Sequence, residues 1–291
     1  MSNPKISIVL PCYNGAAMLP QAIESVLSQT FQDWELIIVN DCSTDNTLEV
    51  AKMYEEKDER IRVFSNPVNK KLPASLNEGF SHARGEYYTW TSDDNIMKPN
   101  MLRAFCDFLD NNIDIGFVIS DYEAIDVDGC YIKTITIPDD INICMPLNDY
   151  VGASFMYRSN TAKKVGAYDE NLFLVEDYDY WIRLWKECKI GIIHEVLYKY
   201  RWHSNSLTGK RKKEISENLL TLRLKYLNYV EVKLSRYPEK LALLYYRIID
   251  NLSFPKNITY YFMFFLRNPY YFGIKYIFIH LPHRFLQKIF S

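Results

Sequence analysis

Glu86-Tyr87-Tyr88-Thr89-Trp90-Thr91-Ser92-Asp93-Asp94-Asn95 reads as an apolar strand that stops at two adjacent carboxylates. An open α/β sheet binds its ligands just beyond the carboxyl ends of its strands, so the position of Asp93 and Asp94 bears on fold and function together. Neighbouring acids repel one another unless a cation or a donor-rich ligand neutralises them. Mg²⁺ and Mn²⁺ take hard oxygen ligands, and one or two carboxylates suffice when a bound phosphate supplies further oxygens. The stretch therefore points to a metal-bridged diphosphate, with plain solvation of a loop acid pair as the simpler reading.

Outward from this strand the chain alternates strand and helix patterns. Ile6-Ser7-Ile8-Val9-Leu10 ends at Pro11, and Glu35-Leu36-Ile37-Ile38-Val39 ends at Asn40-Asp41. Between them Leu19, Ala22, Ile23, Val26 and Leu27 recur on one helical face. A helix from about Asp45, capped by Asp45 or Thr44, follows. Then come a strand near 61–65, a helix near 73–83, a helix opened by Pro99 and a strand at 115–120. The pattern predicts an α/β fold with a mostly parallel sheet and helices on both faces. Asp41 also follows a strand end and is expected on the rim that carries Asp93. A carboxylate there can accept an imide N–H of uracil or thymine, or a guanine ring N–H. Tyr13 offers a ring on which a base can stack. Each has a plainer role open to it: Asp41 as a helix cap, Tyr13 as cover for the sheet edge.

Pro11-Cys12-Tyr13-Asn14-Gly15, Gln29-Thr30-Phe31, the run Glu35 to Asp45, and Ala83-Arg84-Gly85-Glu86-Tyr87 ahead of Ser92-Asp93-Asp94 together resemble glycosyltransferase family 2. The resemblance runs over about residues 4–205. It implies the GT-A (Rossmann-like) fold and an inverting, metal-dependent transferase using a nucleotide-diphospho-sugar, with a UDP-sugar expected and Mn²⁺ or Mg²⁺ as the divalent cation. It also implies that Tyr13 and Asp41 contact the base, Asp93 the ribose and Asp94 the metal. The chain departs from the family pattern at Thr91 and Ser92, where many members carry an acid, at Asn40, which replaces a frequent Asp, and at Lys70-Lys71, where many have glycine.

Glu176-Asp177-Tyr178-Asp179-Tyr180-Trp181 reads as a helix start, where a carboxylate is favoured. The resemblance makes Asp177 the catalytic base, with Glu176 and Asp179 as the other acids in reach of that role and a capping cluster as the structural alternative. In-line displacement needs such a group, because a hydroxyl is a weak nucleophile until a base takes its proton. In Tyr200-Arg201-Trp202-His203 the Gln-x-x-Arg-Trp motif of processive synthases is absent, since Tyr198 stands at the Gln position. The segment resembles the Tyr-Arg-x-His stretch of non-processive members, and His203 is expected as a second metal ligand. The polar, basic run 204–213 suits a lid.

Charge divides the chain. Residues 210–291 hold 15 Lys and Arg against 5 Asp and Glu, leaving 19 against 31 for residues 1–209. A catalytic domain over 1–209 and a helical, basic and aromatic extension over 210–291 are expected. Tyr260-Tyr261-Phe262-Met263-Phe264-Phe265, Tyr270-Tyr271-Phe272 and Ile277-Phe278-Ile279, interleaved with Arg267, Lys275, Arg284 and Lys288, suit docking on an anionic membrane or, equally, packing on protein or self-association. The expected acceptor is a saccharide or lipid-linked saccharide, as in polysaccharide biosynthesis; no nucleic-acid partner is expected. The six cysteines form no CxxC pair, Met1 runs straight into polar residues, and no apolar run reaches spanning length. These features predict a cytoplasmic protein, peripheral on the inner membrane face if the extension docks there. A nucleotidyltransferase or a non-catalytic nucleotide-binding module are the alternatives. The first commonly has a Gly-rich phosphate loop, whereas Gly15 stands alone here, and the second has little need of Asp177.

Overall fold

β1 (Ile6–Cys12) and β2 (Trp34–Asn40) are buried along their whole length, as strands covered by helices on both faces must be. The computed structural model describes residues 3–203, 206–252 and 256–269, with Thr208 and 256–259 described by backbone alone. Two compact units emerge: Met1–Asn142 with Asp149–Lys210, and Ile143–Asn148 with the residues from Arg211 onward. The short segment Ile143–Asn148, which sequence reading keeps in the first domain, thus groups with the extension.

The sheet of the first unit adds β3 (Ile61–Ser65), β4 (Tyr87–Trp90), β5 (Ile96–Met97), β6 (Ile115–Ile125), β7 (Tyr131–Ile135), β8 (Phe155–Arg158) and β9 (Lys189–Arg201). Its order is β3-β2-β1-β4-β8-β6-β9-β5, with β7 beside β6. The half from β3 to β4 is parallel, and so is the β6–β9 pair. β8, however, lies antiparallel between β4 and β6, and β5 and β7 also pair antiparallel. The sheet is therefore mixed, with its longest pairings parallel as the sequence predicts. Between β6 and β8 lie β7, α5 (Ile141–Cys144) and a single 3₁₀ turn.

α1 (Leu19–Leu27), α2 (Thr47–Glu55), α3 (Leu72–Ser81) and α4 (Met101–Asn111) cover the sheet. α1 buries Leu19, Ala22, Ile23 and Val26, the face its spacing predicts. α6 (Ser159–Val165), α7 (Glu176–Glu187) and α8 (Leu207–Lys210) complete the unit. At the amino ends of the parallel strands the buried Glu35 carboxylate accepts from Ser7 Oγ (2.7 Å), from Arg84 N, Nε and Nη2 (2.8, 3.0 and 2.7 Å) and from Arg62 Nη1 (3.1 Å). Burial opposes the charge, but these donors outweigh it and hold the carboxyl below its usual pKa.

The second unit contains α9 (Lys212–Lys233), α10 (Pro238–Asp250) and α11 (Lys256–Arg267). Tyr245 stacks on the buried Phe264 at 3.9 Å, and its hydroxyl donates to Glu231 Oε1 (2.7 Å). Arg247 Nη1 donates to Leu147 O (2.7 Å) and Asn148 Oδ1 (2.9 Å), tying in the segment from earlier in the chain. Phe262 and Leu266 remain exposed on α11. Among the described residues no helix is long and apolar enough to cross a membrane. The clusters Tyr270-Tyr271-Phe272 and Ile277-Phe278-Ile279, with Lys275, Arg284 and Lys288, lie outside the described residues, as do Ser204 and Asn205 of the expected lid.

Candidate active site

The loop after β1 is fastened to the loop after β2. Asn14, in the left-handed region at φ 54°, accepts from Thr44 N (2.8 Å) and donates its own N–H to Ser43 Oγ (3.0 Å). Gly15 N donates to Thr47 Oγ1 (2.9 Å). Asp45 accepts from Thr47 N at the first residue of α2, although Asn46 is the formal cap. Tyr13 is left half exposed. Its backbone N–H donates to Asp93. A Cβ on Gly15 would lie 1.9 Å from Asp93 Oδ2, so any larger residue here must displace that carboxylate.

Asp41 is buried but does not cap α2. Its Oδ1 accepts from Asn66 Nδ2 and Lys70 N (both 2.8 Å), and Oδ2 from Lys71 N (2.9 Å). A carboxylate offers about four acceptor positions, so one remains for a ligand. Lys71 has φ 75° and ψ 169°, a region nearly confined to glycine. The bond to Asp41 holds the lysine there, and the side chains of Lys70 and Lys71 are exposed.

Asp93 is pushed up to about 7, by burial first and by the neighbouring Asp94 second. Asp94 Oδ2 meets His203 Nε2 at 3.0 Å, so the two expected metal ligands are together. Thr91, one of the departures from the acidic pattern, is buried with its hydroxyl 2.6 Å from Tyr198 OH; it fastens the acid loop to β9. Among the described residues no lysine or arginine pairs with Asp41, Asp45, Asp93 or Asp94. None holds three or more His, Cys, Asp or Glu side chains poised around a metal either. Two protein ligands beside an acid pair that lacks a counter-cation do fit an Mg²⁺ or Mn²⁺ that completes its shell with water and phosphate oxygens.

A second acid cluster lies at the start of α7. Burial raises Asp177, and the charge of Asp177 adds to burial in raising Glu176 and Asp149 further. Burial and mutual repulsion thus make these three carboxyls harder to ionise together than free acids. Glu176 Oε2 is buried without a hydrogen-bond partner, as suits a neutral carboxyl. Asp179, an alternative base in the sequence, is fully buried and bound to Arg183 Nε at 2.7 Å, which takes it out of that role. Leu174 immediately upstream has φ 79°, a strained backbone at the entry to the helix. Sequence reading missed Asp149: nothing in Asn148-Asp149-Tyr150 separates it from a loop acid.

The family model described as Glycosyl transferase family 2 matches residues 7–166, more than half of the chain. The chain belongs to glycosyltransferase family 2. An uncharacterized glycosyltransferase of Rickettsia typhi is 32% identical over 226 residues, 74% of this chain and 69% of that one. An uncharacterized glycosyltransferase of Methanocaldococcus jannaschii is 34% identical over 211 residues, 69% of this chain and 72% of that one. The crystal structure of S. aureus TarS 1–349 in complex with UDP-GlcNAc superposes with a TM-score of 0.66 at 16% identity, covering 84% of this chain and 73% of that one. At that identity the likeness concerns the fold, a GT-A-like α/β architecture. The matched span of glycosyltransferase family 2 includes Tyr13, Asp41, Asp93 and Asp94 and ends before Asp177 and His203.

Proposed function

We propose that this glycosyltransferase is inverting, metal-dependent and non-processive. On this reading it moves a sugar from a nucleotide-diphospho-sugar, with a UDP-sugar as donor, to a hydroxyl of a saccharide or lipid-linked saccharide. The observation that carries it is the pairing of two acid clusters: Asp93 and Asp94 with His203 at the ends of the parallel strands, and Asp177 with Glu176 and Asp149 at the start of α7. Tyr13 stacks on the base, the remaining acceptor position of Asp41 takes an imide N–H, and Asp93 binds the ribose. Asp94 and His203 would hold a divalent cation, which supplies neutralisation of the charge growing on the departing diphosphate. Asp177 takes the proton of the acceptor hydroxyl as that oxygen attacks the anomeric carbon opposite the leaving group. The TarS fragment is a complex with UDP-GlcNAc, which supports a uracil nucleotide. The test is product analysis with a nucleotide-sugar panel in the presence of Mn²⁺ and candidate acceptors. UDP release with transfer of the sugar is expected. Pyrophosphate release would assign nucleotidyl transfer, and binding without turnover a nucleotide-binding module.

We carry membrane docking of the extension as part of the proposal, on the charge excess of residues 210–291 and the exposure of Phe262 and Leu266. Cosedimentation of the full chain with anionic vesicles that weakens as salt rises is expected; failure to sediment at low salt ends this part of the reading.

A further inference from the structure

Arg201 closes β9 two residues before His203 and is 3% exposed. Its guanidinium spans three segments: Nε donates to Asp94 O (2.8 Å), Nη1 to Asp126 O (3.0 Å) and Val127 O (2.8 Å), and Nη2 to Gln21 Oε1 (2.6 Å). Its backbone N–H donates to Asn95 Oδ1 (2.7 Å). These side-chain acceptors are all neutral oxygens. A buried cation is costly unless its donors are satisfied; here carbonyls take four of the five, and among the described residues no carboxylate pairs with the guanidinium. Fastening the turn between β6 and β7 would need only the two bonds to Asp126 and Val127. The bonds to Asp94 O and Asn95 Oδ1 do something else, because they fix the acid loop to the strand that delivers His203.

We propose that Arg201 is a positioning residue that presets the Asp94–His203 pair for the cation and diphosphate. The proposal rests on the reading that Asp94 and His203 hold a divalent cation. With four of its five side-chain N–H donors engaged on the protein, Arg201 acts through Asp94 rather than by touching the ligand. Lysine cannot replace it. A single ammonium on a flexible stem lacks the planar fork that reaches three segments at once.

The test is calorimetric binding of UDP with and without Mn²⁺, alongside thermal unfolding, for the parent, Arg201→Lys and Gln21→Leu. The parent should bind UDP more tightly with Mn²⁺ than without. In Arg201→Lys the Mn²⁺-dependent gain should fall about tenfold or more, while metal-free UDP affinity stays within about twofold. Gln21→Leu removes one neutral partner from an exposed helix position and should lower the same gain by roughly two- to threefold at nearly unchanged unfolding temperature. A full Mn²⁺-dependent gain in Arg201→Lys overturns the proposal, and so does an equal loss with and without metal, which is what general loosening of the fold gives. If Arg201→Lys does not fold, an unchanged gain in Gln21→Leu overturns it. A parent with no Mn²⁺-dependent gain would refute the cation reading itself, an outcome distinct from a failure of Arg201 alone.

Discussion

Glu35 near the start of β2 and Asp41 just past its end sit on one strand, yet their surroundings are opposite. Glu35 is saturated by two arginines, a serine and a backbone N–H, and ionises more readily than a free carboxyl. Asp41 meets only neutral donors. Its rim neighbour Asp93 is raised by burial and by Asp94, with no arginine or lysine to offset either. A chain able to neutralise a buried acid at one end of its sheet leaves several uncompensated at the other. Groups left short of counter-charge at a ligand-binding rim are what a cation and a donor-rich ligand complete.

The widest break in this comparison should come from Asp94→Ala. Turnover should fall by about three decades or more, since a cation contributes several kcal/mol of charge stabilisation. Chelation should do the same to the parent, reversibly on adding Mn²⁺. Full activity in excess chelator would mean that the rim acids need no metal.

Asp177→Asn comes next. Product formation at saturation should drop by about two to four decades, the range of a general base, with UDP affinity unchanged. A general base must be ionised to act, and burial raises the pKa of Asp177, so turnover should fall as pH drops and begin to do so clearly above the ordinary aspartate value of about 3.9. Lost UDP binding with intact turnover would move Asp177 to the donor side.

The saturated end predicts a different symptom. Glu35→Gln should cost about 2–3 kcal/mol of stability, less than a fully buried pair because Arg62 and Arg84 can reach water. UDP affinity of the folded fraction should not change. Since the pKa of Glu35 is depressed, its contribution is complete above the unfolded value of about 4.3 and fades as pH falls through the lower folded value. Denaturant melts at neutral and acid pH check both points.

Gly15→Ala should have the smallest effect and sharpen the role of Asp93. The added methyl displaces the carboxylate, and UDP affinity should weaken about tenfold, or roughly 1.4 kcal/mol. Asp93→Ala should lose a similar amount, and the double variant little more. Additive losses would mean that Gly15 acts on something other than Asp93.

Much of this architecture was legible in the sequence. The spacing of Leu19, Ala22, Ile23 and Val26 marked the buried face of α1, and Asp41 and Asp93 lie beyond strand ends as the apolar runs implied. What escaped was long-range pairing. Local periodicity reports how one element is covered, not which neighbour lies beside it, so the antiparallel insertion of β8 left no trace. Thr91 with Tyr198, and Arg201 with Asp94, meet across 107 positions of chain. Each looks ordinary until the register of β9 brings it to the acid loop. Asp149 was hidden for the same reason, since only tertiary packing brings the charge of Asp177 to bear on it.

The grouping of Ile143–Asn148 with residues that follow Arg211 has a consequence for synthesis and for cutting the gene. During translation this segment leaves the ribosome before its partners exist. Met145 and Leu147, buried in the finished protein, must wait exposed until Arg247 and its helix have been made. The interval is seconds at ordinary elongation rates, a window in which a chaperone has apolar surface to hold. A stop codon after Lys210 makes that wait permanent. Shortened chains of this kind should express with a sticky face, and excising the extension cleanly calls for a second edit at positions 143–148.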